Sequence, residues 1–166
     1  NMHTNKGKAS LFIVLDENKV PMEFYVNPPV ESPEAAAVMT AICRLIAVGI
    51  QGFQDIDEFL DQLKKANKMY ENSSMVLTYV TKSLKAGKTK NKGIDILKDL
   101  PVEDEDEVIV QCLYNIMKSA QAGVTDLTEY IQILKDVNKE FGNISTILVF
   151  LIKAFNKFLE VLYAEE

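Results

Sequence analysis

The chain has 166 residues, enough for one compact domain or two small ones. It is 48% hydrophobic and 25% charged, the make-up of a folded globular protein with a sizeable core. A net charge of −6 excludes broad, charge-driven binding to nucleic acid or to a membrane surface, but not a local basic pocket.

Residues 1–9 are polar and read as a loose lead-in without an apolar run of the signal-peptide type. Leu11-Phe12-Ile13-Val14-Leu15 and Met22-Glu23-Phe24-Tyr25-Val26 are short β-branched and aromatic runs. They flank turn-like Asp16-Glu17-Asn18-Lys19, which predicts a β-hairpin. Two strands alone are marginal in water, so the hairpin is expected to lie on helices or to extend across a homo-oligomer. Asn27-Pro28-Pro29 stops the strand, and Ser32-Pro33-Glu34 opens a helix with Ser as N-cap and Pro in the first position. Its apolar face holds Val38, Ile42, Leu45, Ile46 and Gly49, and Gly52 ends it.

Asp55-x-x-Glu58 reads as a capping box for a second helix carrying Ile56, Phe59, Leu60 and Leu63. Asn72-Ser73-Ser74 caps a third, running through Val76, Leu77, Val80 and Leu84. Gly87, Gly93 and Pro101, with lysines and Asn91 between, mark residues 87–104 as a solvated linker. The carboxylates Glu103 to Glu107 open a fourth helix, where they favour the dipole. Asp126-x-x-Glu129 repeats the capping box for a fifth, and Asn143 opens a sixth. Ile144 to Tyr163 is the most apolar run, but Lys153, Asn156, Lys157 and Glu160 interrupt it. It reads as a helix buried on most sides, not as a membrane span.

Residues 34–85 align with 105–156 at a shift of 71 positions without a gap. Asp55, Glu58, Leu63, Lys64, Asn67 and Lys68 fall on Asp126, Glu129, Leu134, Lys135, Asn138 and Lys139. Such a unit often needs a neighbour to bury its apolar face. The fold class is therefore α+β, mostly α: an N-terminal β-hairpin followed by two tandem three-helix repeats packed as a pseudo-dimer. The boundaries are 10–86 for the first unit, 87–104 for the linker and 105–163 for a second unit without a hairpin.

No catalytic signature is present. The one histidine, His3, lies in the polar lead-in, so His-based triads are out. Cys43 and Cys112 sit amid apolar neighbours and lack metal-ligand spacing, so buried thiols in a reducing cytoplasm are expected. No metal or cofactor is expected. Gly87-Lys88-Thr89 lacks the upstream glycine of a P-loop, with Lys82 in its place. Arg44 stands out as the only arginine beside 17 lysines, within apolar Ala41-Ile42-Cys43-Arg44-Leu45-Ile46. A guanidinium suits bidentate recognition of phosphate or carboxylate. The plainer reading is an exposed helical face or a salt bridge to Glu17 or Glu23. Asn115 occupies the matching place in the second copy, so the copies are not equivalent there.

The order strand, turn, strand and three helices, carrying Pro21-Met22-Glu23-Phe24-Tyr25-Val26-Asn27, Arg44-Leu45-Ile46 and Asp57-Glu58-Phe59-Leu60-Asp61-Gln62-Leu63-Lys64, resembles the TSCPD domain. That family occurs near the C-terminus of vitamin B12-dependent ribonucleotide reductases and as small stand-alone bacterial and phage proteins. The resemblance covers about residues 10–86. The namesake motif is replaced by Asn72-Ser73-Ser74-Met75-Val76 and the reductase-tail cysteines are absent, so reductase catalysis does not carry over.

What the resemblance implies is a non-catalytic, cytoplasmic binding protein for a nucleotide-type or other phosphate-bearing ligand, such as a defence signalling nucleotide sequestered by a phage protein. The expected ligand residues are Arg44 for phosphate, Asn27 beside the Pro-Pro turn, and Tyr25 or Phe24 for base stacking. Two alternatives are a regulatory partner of a ribonucleotide reductase and a helical protein–protein interaction module without a small ligand.

Overall fold

The computed structural model describes residues 2–4, 7–18, 20–27 and 32–164, with backbone alone at 2–4, 7–10 and 25–27. The expected Pro28-Pro29 turn lies outside the described residues. Three antiparallel strands, β1 (Met2–Thr4), β2 (Gly7–Leu15) and β3 (Pro21–Asn27), form one sheet in that order. Within the polar lead-in, residues 2–4 and 7–9 are thus strand, not a loose tail. Its backbone pairs Met2 with Ala9 and Thr4 with Gly7, and a backbone ladder does not depend on apolar side chains.

Between β2 and β3, Asp16 makes the turn: its Oδ1 accepts from the backbone N–H of Asn18 (2.8 Å) and of Val20 (2.9 Å). Period-two alternation then sorts the faces. Leu11 and Ile13 turn to the core, while Phe12 and Val14 are exposed.

The helices reproduce the repeat in register. α1 (Pro33–Ile50) and α4 (Asp104–Gln121) have 18 residues each, and α2 (Ile56–Met69) and α5 (Leu127–Glu140) have 14 each. α3 (Met75–Thr89) and α6 (Thr146–Ala164) start at matching positions. The two sets share one hydrophobic core. α1 packs on α4, the contacts of α1 on α6 and of α4 on α3 are reciprocal, and α1 also meets α5. The pseudo-dimer packing of the two helical sets is present, so burial that a lone three-helix unit would need from a partner comes from within the chain.

Helix ends follow the repeat too, with differences from the expected caps. Ser32 stands at the N-cap of α1 without a side-chain cap bond. Asp55 and Asp126 accept from the second N–H of their helices, at Asp57 and Thr128, and not from the third. Ser74 and Ser145 cap α3 and α6 by accepting from Leu77 (3.1 Å) and Leu148 (3.2 Å). Asn72 and Asn143 close the preceding helices instead of opening the next ones. Both have positive φ, at 57° and 58°, and donate their backbone N–H to Asn67 and Asn138. The buried side chains of Asn67 and Asn138 accept from the N–H of Ser74 and Ser145 and so fix both corners.

Residues 87–104 are not an open linker. α3 continues to Thr89, and a 3-10 helix at Gly93–Asp99 buries Ile94 and Leu97 against α3 and α4. This segment falls 71 or 72 positions beyond β3, whose place it takes over the second copy. Lys88, Lys90 and Lys92 are exposed, as expected.

α1 is the one helix among the described residues long and apolar enough to cross a membrane. Fourteen of its residues are buried by β3, α2, α4 and α6, which explains its apolarity by a central place in the core. The run 144–163, expected to be buried on most sides, is a cover helix. Burial in α6 stops at Phe155, and Val161 and Tyr163 beyond it are exposed, because α6 packs on its neighbours with one face only.

Candidate functional site

β3, the C-terminal half of α1, the turn after it and the start of α2 enclose a cleft of about 420 Å³. Its size falls in the range of small-molecule sites. Helical spacing builds the α1 wall: Ala47 and Val48 lie three and four residues after Arg44, and Gln51 lies four and three after them, so all share a face. On α2, Glu58 and Gln62 are likewise four apart and line the facing wall. Met22, Glu23 and Phe24 come from β3, and Phe53 from the α1–α2 turn.

A hydrogen-bond chain fixes the arginine. Arg44 Nε donates to Gln62 Oε1 at 2.8 Å, and Gln62 Nε2 donates to Glu58 Oε1 at 2.8 Å. The order of the chain is dictated by chemistry. A guanidinium can only donate and a carboxylate only accept, so the amide between them is oriented one way. Glu58 is thereby drawn away from the capping-box role expected of it. Arg44 is half-buried and does not stand on an exposed face, and its Nε is engaged by Gln62. With Nε engaged, the two NH2 groups form the guanidinium edge that matches two oxygens of a phosphate or carboxylate. At the mouth, Gln51 Nε2 donates to the carbonyl of Met22 at 2.7 Å and ties α1 to β3. One turn before Arg44 on its face of α1, Thr40 is buried and its hydroxyl has no hydrogen-bond partner.

Of the four expected ligand residues, the structure brings Arg44 and Phe24 to this cleft. The side chains of Tyr25 and Asn27 lie outside the described residues. Phe24 does not offer a stacking face. It is 4% exposed and packs edge-on against Phe155, with centroids 5.3 Å apart and planes at 77°. Its inward strand position, the same period-two alternation that exposes Phe12, makes it core. Sequence reasoning missed Gln62, Phe53 and Gln51 as site residues and took Glu58 for a cap. The four-residue spacing of Glu58 and Gln62 was the available signal.

The second copy keeps the backbone but not these groups. Asn115 replaces Arg44 and accepts from Gln111 Nε2 at 2.9 Å, Ile133 replaces Gln62, and Val124 replaces Phe53. At the position 71 residues beyond Phe24 stands Asp95, which accepts from Tyr114 Oη at 2.7 Å. That bond, with Lys118 and Lys98 nearby, holds its carboxyl below the usual range. This cluster latches the 3-10 helix to α4. Both thiols are fully buried, which pushes them far above their ordinary range and leaves them without nucleophilic character. Among the described residues no group of three or more His, Cys, Asp or Glu is placed to hold a metal ion.

No protein-family model, curated protein or solved structure matches the chain.

Proposed function

We propose that the chain is a non-catalytic binding protein whose cleft takes a phosphate-bearing small molecule at Arg44. One observation carries this reading. The chain's only arginine is half-buried in the wall of the cleft and held there by a relay of two side chains, Gln62 and Glu58, that the second copy does not keep as a set. A guanidinium oriented in advance loses less rotamer freedom on binding an anion than a free surface lysine does. The carboxylates of Glu23 and Glu58 oppose a bare anion but accept from hydroxyl groups, so a sugar phosphate suits the lining better than inorganic phosphate. The resemblance to stand-alone TSCPD proteins points the same way. Thermal-shift and calorimetric titration with phosphate, sugar phosphates and mono-, di- and cyclic nucleotides tests the reading. Saturable binding lost in Arg44→Ala supports it, and no stabilisation by any of these compounds counts against it.

A separate observation favours a second reading, self-association through the hairpin. Phe12 and Val14 stand on the outer face of β2 at 55% and 45% exposure. Sedimentation of the wild type and of Phe12→Ser decides it: a monomer in both cases removes it.

A further inference from the structure

We propose that Phe53 is an aromatic platform, and that the ligand held at Arg44 therefore carries a planar ring joined to its phosphate, as a nucleoside phosphate does. The inference rests on the Arg44 reading and adds the chemical class of the ligand.

The turn that carries Phe53 is a Schellman closure of α1. Phe53 N–H bonds the carbonyl of Val48 (3.0 Å) and Gly52 N–H that of Gly49 (3.0 Å), with Gly52 at φ +93°. The second copy builds the same turn. Val124 N–H bonds Ser119 (3.0 Å) and Gly123 N–H bonds Ala120 (3.0 Å), with Gly123 at φ +86°. There a valine, partly buried, completes the closure. The closure itself therefore does not require an aromatic ring at this place. The first copy carries a phenyl ring in place of the valine, 43% exposed and on the cleft. A large ring left against water in a cleft is the arrangement that a flat ligand face completes.

Phe24 cannot serve in its place, since Phe155 occupies it. The spacing agrees as well. Arg44 and Gln51, the C-cap just before the turn, are about 10 Å apart along α1, at about 1.5 Å per residue. That is the scale of one nucleotide unit with its phosphate at one end and its base at the other.

The test uses the whole chain and the four ribonucleoside 5′-monophosphates, with ribose 5-phosphate as the ring-less probe. At least one nucleotide should bind about tenfold or more tightly than ribose 5-phosphate, the scale of base stacking on an aromatic side chain. Phe53→Val installs the second copy's residue and should remove that preference without weakening ribose 5-phosphate. Phe53→Trp should keep it. Because the chain has no tryptophan, this indole is the sole reporter, and its fluorescence should respond to the nucleotide but not to ribose 5-phosphate. Equal affinity for all probes, or a preference that survives Phe53→Val, overturns the platform while leaving Arg44 as a phosphate site. Binding of none of the probes overturns both.

Discussion

The hydroxyl of Tyr130 in α5 lies so close to Gly49 in α1 that a β-carbon at position 49 would strike it. The same hydroxyl donates to the carbonyl of Val124 at 2.7 Å. At the positions related by the repeat the chain has Ala120 and Phe59, a methyl more on one side and a hydroxyl less on the other. Gly49→Ala should therefore destabilise the protein by about 1–3 kcal/mol, the usual cost of overpacking. Gly49→Ala with Tyr130→Phe restores the Ala120/Phe59 combination and removes the hydroxyl, but the ring's Cζ still stands 2.7 Å from the added carbon, so the double variant should recover only part of the loss. Urea unfolding of the two single variants and the double variant measures this coupling; simple additivity would refute it.

Tyr130 also sets a pH limit. It is fully buried, and burial first, then the charge of Glu129, raises its phenol from 10.0 to about 12. A phenolate cannot donate to Val124, so folding favours the protonated form. A raised folded value gives stability that is complete below pH 10 and fades as pH rises towards about 12. Between those limits the wild type should lose about 1–3 kcal/mol relative to Tyr130→Phe, since each tenfold change in proton affinity is worth about 1.4 kcal/mol. Parallel denaturation curves at about pH 9, below the window, and at about pH 11.5, inside it, check it.

Arg44 has a structural share that must be separated from binding. Gln62 is 9% exposed, and Arg44→Ala leaves its carbonyl oxygen without this donor, which costs about 1–3 kcal/mol. Arg44→Asn with Gln62→Ile transplants the pair found at Asn115 and Ile133, an apolar side chain facing a short amide. The double variant should be more stable than Arg44→Ala and still fail to bind any phosphate ester. Calorimetry on both variants separates the two effects.

Thr40 gives a prediction of opposite sign. Its buried hydroxyl lacks a partner, so Thr40→Val removes a desolvated polar group at nearly constant volume. The variant should be about 1 kcal/mol more stable than the wild type. A lower melting temperature would show that the hydroxyl is satisfied in solution.

Much of the fold was legible because it is encoded locally and twice. Six helices, their starts near Pro33, Asp55 and Ser74, and their counterparts 71 residues later follow from caps and 3.6-residue periodicity. β1 was not legible, since its pairing rests on backbone groups that side chains do not announce. Gly93–Asp99 was hidden by its lysines and glycine, which suit a loop as well as a short helix with two buried residues. The site was legible at Arg44, a charged residue in an apolar stretch, and not at Gln62 or Phe53. Their roles depend on α1, its following turn and α2 folding back on one another, a tertiary fact. Phe24 was misjudged because aromatic identity says nothing of which strand face it occupies.

The internal symmetry of the helices is not matched by symmetry of the side chains lining the cleft, and this bears on stoichiometry. A homodimer of a single unit would present two identical places and saturate at two ligands per assembly. Here α4, its following turn and α5 carry Asn115, Val124 and Ile133 in place of Arg44, Phe53 and Gln62. Two units in one chain can differ at these three positions, which the subunits of a homodimer cannot. Titration should reach its end point at one molecule per chain, with a single-site isotherm and no cooperativity.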